Sequence, residues 1–270
     1  MDIKRYRYCQ QKLTEIDPVL AEIVYSRKVR DEDGTSHPLK SEISREEMFF
    51  LFDHIRTRSD CRRVLEIGCA MGVSSLVISA ALKKKQGDTF HLICDPWQET
   101  VWRKIGLRNL EKAGYRNIEC WSIGSESALP RLYERREQFD FVFQDGMHTF
   151  DHAMMEFFYI DRIIRVGGTI VYDDVDVYSI NRFIRFVSLY PHWKIVACVG
   201  VPAWGIGRRL ANLFKWCLYP VICVLPRNIA IEFVSDSVLR PDRALGLNSS
   251  MLALEKTAEF PNGYLHKEKF

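Results

Sequence analysis

None of the eight cysteines, Cys9, Cys61, Cys69, Cys94, Cys120, Cys198, Cys217 and Cys223, stands in a C-x-x-C pair. That removes the spacing expected of a zinc finger or a dithiol redox centre. Cys94, Cys120 and Cys198 lie inside apolar, strand-like runs. They read as reduced core thiols of a cytosolic protein rather than as a disulfide framework. Charge of one sign is also missing: 38 basic residues face 35 acidic ones, a formal net of +3. So small an excess gives no case for nucleic acid. Lys83-Lys84-Lys85, the compact basic run of the first half, reads as a cationic helix C-terminus. The first eight residues, Met-Asp-Ile-Lys-Arg-Tyr-Arg-Tyr, carry no apolar core of a signal peptide, so a cytoplasmic location is expected. Repeats and low-complexity tracts are absent. With 270 residues the chain can hold one large α/β domain or two small ones.

Helical spacing is present over residues 11–29 and 44–58, and Asp31 to Pro38 between them reads as a loop. From residue 63 short β-rich runs alternate with helix-length segments. The runs are 63–67, 89–94, 117–122, 139–144 and 168–173; the helical segments are about 74–85, 101–114, 126–137, 149–165 and 177–189. Such alternation predicts an α/β fold, a doubly wound, Rossmann-like parallel sheet with helices on both faces. Trp193–Val199 reads as a sixth strand, and residues 249–257 as a further one.

The most informative stretch is Val64-Leu65-Glu66-Ile67-Gly68-Cys69-Ala70-Met71-Gly72, followed by a helix opening at Ser74-Ser75 and by Asp95 at the end of the next apolar run. It reads as strand, tight turn and helix, the first unit of a nucleotide-type sheet. Gly68 and Gly72 would let the backbone bend and approach a ligand closely. An acid about 20 residues on is placed to take a ribose hydroxyl. The loop is G-x-x-x-G and lacks the third glycine of a dinucleotide loop, so a nucleoside without phosphate fits better. An NAD-dependent oxidoreductase is the enzymatic alternative, and a non-catalytic binding protein on the same fold is the other.

These residues resemble the cofactor signature of class I S-adenosylmethionine-dependent methyltransferases. Two more acidic strand ends follow: Phe139 to Gln144 leads into Asp145-Gly146-Met147-His148, and Gly167 to Tyr172 leads into Asp173-Asp174. Ligands of open α/β sheets bind outside the carboxyl ends of strands. Acids crowded there call for a cation, and oxygen donors suit Mg²⁺ or a similar divalent ion. Here the chain looks like metal-dependent O-methyltransferases of the catechol and the macrocin and mycinamicin sugar types. The resemblance implies a seven-stranded sheet with an antiparallel last strand and N-terminal helices. It implies S-adenosylmethionine held by Glu66, Gly68, Gly72, Ser74, Asp95, Trp97, Ser125 and Asp145, with metal ligands Asp145, Asp173 and Asp174.

His148 stands where the family places its general base, although contact with the adenine edge or a helix-capping role is open as well. Trp97 could pack on adenosine or be an ordinary buried ring, and Gly124-Ser125 resembles the adenine-side turn. His37 sits in a loop that could fold over the acceptor. The acceptor would be a small molecule with a hydroxyl group, such as a sugar, a polyketide or a catechol-like ring. The division expected is an N-terminal helical region, 1–60; a cofactor-binding core, 61–200 with 249–257; and an apolar insertion, 201–248. Residues 210–225 within the insertion are too short and too broken by Lys215 and Pro220 to cross a bilayer. A lid, a dimer contact that would make the chain a homo-oligomer, and a monotopic membrane contact are the readings open for it.

Overall fold

The computed structural model describes residues 12–40, 42–200, 206–224 and 242–259. The chain divides into two compact units, Met1–Gly146 and Met147–Phe270. The first opens with helix α1, Pro18–Ser26. Asp17 caps it by accepting from the Leu20 amide at 2.9 Å, and a proline occupies the first turn, where its missing N–H costs nothing. Strands β1, Lys28–Arg30, and β2, Ser36–Pro38, then pair antiparallel with Val29 opposite His37.

The sequence reading left 31–38 as a loop and ran the preceding helix to 29. The structure makes a small ribbon of 28–38 instead. Asp31 closes its turn, with Oδ1 accepting from the Thr35 amide at 2.9 Å, and Gly34 supplies the positive φ of +79°. Helix α2, Arg45–Thr57, starts with a reciprocal cap: Ser44 Oγ accepts from the Glu47 amide, and Glu47 Oε2 accepts from the Ser44 amide.

Strands β3, Arg63–Ile67; β4, Phe90–Cys94; β5, Ile118–Trp121; and β6, Phe139–Gln144 complete the unit with helices α3, Val73–Lys83; α4, Ile105–Lys112; and α5, Ser125–Glu134. All the strand pairs here are parallel: β3 with β4, β3 with β6, and β4 with β5. Buried on both faces, such strands need near-continuous apolar runs. Val64, Leu65 and Ile67 comply, and Glu66 is the exception. The order reverses at β3, whose neighbours are β4 on one side and β6 on the other. A reversal of this kind opens a crevice at the strand ends. Helix α4 begins later than the periodicity suggested. Residues 96–104 form turns, with the Lys104 amide donating to the Gln98 carbonyl at 2.6 Å and Lys104 itself left-handed at φ +56°.

The second unit contains helix α6, Phe150–Ile163; strand β7, Ile164–Tyr172; helix α7, Tyr178–Val187; strand β8, Trp193–Val199; helix α8, Ile206–Cys223; a 3₁₀ turn, Asp242–Leu245; and strand β9, Met251–Lys256. Strand β7 starts at Ile164, earlier than expected, and runs through Gly167, whose φ of +81° bends the chain without ending it. The last strand is antiparallel, as the resemblance implied. β9 pairs antiparallel with both β7 and β8, and an irregularity in β8 lies between Ile195 and Ala197. The strand order is β5-β4-β3-β6 in the first unit and β7-β9-β8 in the second.

The end of the segment read as an insertion is packed. Asp242, Leu245 and Leu247 are buried, and Asp242 pairs with the buried Arg185 guanidinium of α7. Beneath β9, the buried Lys256 Nζ donates to the Asp161 carbonyl at 2.7 Å and to the Ile164 carbonyl at 3.2 Å.

Candidate functional site

The turn after β3 leaves no choice of residue at its glycines. Gly68 has φ +91°, and a Cβ there would lie 2.1 Å from the Asp145 carbonyl oxygen. Gly72 has φ +87°, and its Cβ would lie 2.8 Å from Gly106 Cα. Either position rejects every L side chain on both counts. Between them Ala70 also adopts a positive φ, of 46°.

Asp95 holds this strained loop. Its Oδ2 accepts from the Cys69 amide at 3.1 Å, from the Ala70 amide at 2.9 Å and from Gln98 Nε2 at 2.9 Å. Its Oδ1 accepts from the Trp97 amide at 2.8 Å. Hydrogen bonds to a carboxylate are about twice as strong as neutral ones, so one side chain at the end of β4 shapes the loop at the end of β3. The ribose role read for Asp95 therefore comes with a structural one. Oδ1, which accepts from the Trp97 amide, keeps acceptor capacity.

Two further side chains complete the hold, and sequence reading gave neither this role. Gln98 Nε2 also donates to the Ala70 carbonyl at 2.7 Å, and Asn109 Nδ2 donates to the Met71 carbonyl at 3.0 Å. Gln98 Oε1 is buried with no hydrogen-bond partner among the described residues. The closeness of Gln98 to Asp95 was a usable signal. For Asn109 and Gly106, one turn of chain away in α4, no sequence signal existed.

Glu66 and Ser74 are brought together, but inside the protein. The Glu66 carboxylate is wholly buried and accepts from Ser74 Oγ at 2.5 Å and from Ser75 Oγ at 2.6 Å, with His91 Nε2 at 3.0 Å. His91 Nδ1 in turn meets Ser79 Oγ at 3.1 Å. The structure thus gives Glu66 the work of fastening β3 to the first turn of α3 and to β4. Trp97 is 55% exposed, an open ring beside the loop, so the ordinary buried Trp is ruled out. Ser125 is buried in the first turn of α5 behind Gly124. Cys69, the thiol in the loop, is no nucleophile: burial first, then the Glu66 charge, push it well above the ordinary thiol range. His37 Nε2 faces Asp31 Oδ2 at 2.6 Å, within the ribbon.

In the second unit, β7 delivers Asp173 and Asp174. Asp174 is left-handed, with φ +52°, and its carbonyl accepts from the Val177 amide at 2.9 Å. Aspartate tolerates this conformation better than most residues, and a non-glycine held there is the kind of local strain that clusters at working sites. The bend sets Asp174 Oδ2 3.2 Å from His148 Nδ1. Ser179 Oγ, at the start of α7, donates to the His148 carbonyl. Asp173, its neighbour, is not part of that pair.

A bent glycine loop pinned from the next strand is the feature by which the chain can be compared with known proteins. Residues 65–175 match the methyltransferase-domain family. The methyltransferase-domain match thus runs from β3 through Asp174 and takes in every site residue named above from Glu66 onward. The fold of the chain is that of class I methyltransferases. It is similar to the O-methyltransferase from Bacillus cereus solved in complex with SAH, with a TM-score of 0.57 and 19% identity over 72% of this chain and 91% of that one. It is also similar to the cofactor-bound Rv0187 from MTB, with a TM-score of 0.55 and 20% identity over 68% of this chain and 84% of that one. No curated protein matches the chain.

Proposed function

We propose that the chain transfers the methyl group of S-adenosylmethionine to a hydroxyl oxygen of a small molecule, with help from a divalent ion. The observation that carries this reading is the Asp95-pinned loop of Gly68 and Gly72. Its backbone is pre-bent, free of Cβ atoms at both glycines and bordered by the exposed ring of Trp97 and the orphan acceptor of Gln98. That cradle fits a nucleoside. The match to the methyltransferase-domain family, and a fold neighbour that is an O-methyltransferase solved with SAH, support the choice of cofactor and acceptor atom.

Asp145, His148 and Asp174 each offer one donor atom that suits a metal ion. Oxygen donors favour Mg²⁺, so we assign the ion to the carboxylates and keep the imidazole for the proton. Asp173 is the remaining acid of the set read from sequence. When bound, the cofactor supplies the electrophilic methyl group, and the ion lowers the pKa of the acceptor hydroxyl.

The chain's own residues do the rest. The loop fixes the donor, so that the reaction becomes a matter of alignment. Asp174 orients His148 through Nδ1, which leaves Nε2 as the basic nitrogen for the hydroxyl proton. The acceptor is a sugar, polyketide or catechol-like hydroxyl.

The test is calorimetric titration of SAH and of NAD, followed by transfer from labelled S-adenosylmethionine into small-molecule extract with and without EDTA. SAH should bind and NAD should not. Turnover should fall in EDTA and, by about 10²–10⁴-fold, in His148→Ala. NAD binding in place of SAH would overturn the cofactor, and full activity in EDTA would overturn the metal.

A further inference from the structure

Helix α8, Ile206–Cys223, is not needed by the sheet or by the proposed chemistry. Among its described side chains, Ile206 is 77% exposed, Phe214 65% and Trp216 67%, and Leu210, Leu213 and Cys217 are exposed as well. At 100° per residue, positions 206, 210, 213, 214 and 217 fall within an arc of about 100°. This is one continuous apolar stripe along a helix of about 27 Å, taken from its length and the rise per residue. A soluble monomer seldom leaves such a stripe in water. Among the described residues no helix is long and apolar enough to cross a membrane.

Charge selects the occupant. The segment from Val201 to Ile231 contains no Asp or Glu, whereas the helix itself carries Arg208, Arg209 and Lys215. A two-fold pairing of this helix with a second copy would set an acid-free, cationic element against itself, with no opposite charge to meet it. An anionic lipid surface answers both features at once. The acyl boundary takes the apolar stripe and the aromatic rings, and the headgroups take the basic residues.

We propose that α8 is an interfacial helix that docks the protein on an anionic membrane surface. The helix lies in the plane of the headgroups and does not span the bilayer. This rests on the helix alone and stands whether or not the acceptor is the one proposed above.

Flotation of the full chain with vesicles tests it. One set is phosphatidylcholine alone, and the other contains a third phosphatidylserine. The protein should float with the phosphatidylserine vesicles and stay in the bottom fraction with phosphatidylcholine or in 0.5 M NaCl. The charge variant R208Q/R209Q/K215Q leaves the apolar stripe intact and should lower the partition coefficient by about 10²-fold, at roughly fivefold per cation. L210D/F214D should abolish flotation while leaving SAH binding and the thermal midpoint unchanged. Failure of the wild-type chain to float with phosphatidylserine vesicles would overturn the proposal. So would sedimentation showing a wild-type dimer that L210D/F214D splits without any lipid binding, which would assign the stripe to a second copy. Flotation insensitive to salt and to the charge variant would overturn the anionic requirement.

Discussion

A single added methyl group at residue 68 would have to occupy the space of the Asp145 carbonyl oxygen, 2.1 Å from where it would sit. The loop after β3 depends on constraints of that kind, and Asp95 is the side chain that enforces them. Its carboxylate takes the amides of Cys69, Ala70 and Trp97 and the amide group of Gln98. Asp95→Ala removes all four at once and leaves buried donors unpaired. It should weaken SAH binding by about 1–3 kcal/mol, measured by calorimetry. The circular dichroism spectrum checks that the variant is folded. Asp95→Asn keeps the shape but turns an acceptor into a donor on one side, so it should weaken binding as well. Unchanged affinity in both variants would separate Asp95 from the loop's function. An acid after the second strand was legible as a ligand candidate. Its role as the loop's internal anchor was not, because pairing of the loop with the end of β4 exists only once β3 and β4 lie side by side.

Elements in the second unit are joined by buried polar ties that periodicity does not reveal. Lys256, on the antiparallel strand β9, donates to the carbonyls of Asp161 and Ile164, where α6 ends and β7 begins. The Asp161 side chain accepts from Trp193 Nε1 at 2.9 Å and lies 3.2 Å from His192 Nε2. One corner therefore links α6, β7, β8 and β9. Lys256→Met keeps the stem packed but strips the donor from two buried carbonyls. It should lower unfolding free energy in urea by about 1–3 kcal/mol, with SAH affinity unchanged. A loss below about 0.5 kcal/mol would mean the carbonyls find other donors. The strands themselves were visible as apolar runs, and β9 was recognised as antiparallel by analogy with the family. The helix-to-strand change at residue 164 was missed, since Ile163 and Ile164 suit either state.

For the whole molecule, thiol chemistry separates core from surface. Burial pushes Cys61 and Cys120 up to about 12, and raises Cys69 well above the ordinary thiol range. Cys198 and Cys217 are exposed. In the native protein at pH 8, iodoacetamide should label Cys198 and Cys217 and spare Cys61, Cys69 and Cys120. All five should label in urea, with mass spectrometry as the readout. The sign of the linked stability follows. The native state keeps these protons while the unfolded chain loses them above the ordinary thiol value of 9.0. The thiol contribution is thus complete below pH 9 and is lost progressively as pH rises toward the folded values. A urea midpoint that rose between pH 9 and pH 10.5 would contradict this.

The alternation of apolar runs with helical spacing, and the acids and glycines at strand ends, determined the α/β class and the place of the bent loop. These are local signals, carried by residues within a few positions of one another, and physics at that range acts before the chain folds. Tertiary structure alone decided which of those residues could meet a ligand. Glu66 and Ser74 look like cofactor contacts in sequence, and the structure pairs their side chains with each other beneath the loop. Trp97, written in the same run as Asp95, is left open. Asp173 and Asp174 are adjacent, and at the left-handed turn Asp174 Oδ2 comes to 3.2 Å from His148 Nδ1. Direction and burial of a side chain depend on strands and helices distant in sequence, and no spacing within the chain encodes them.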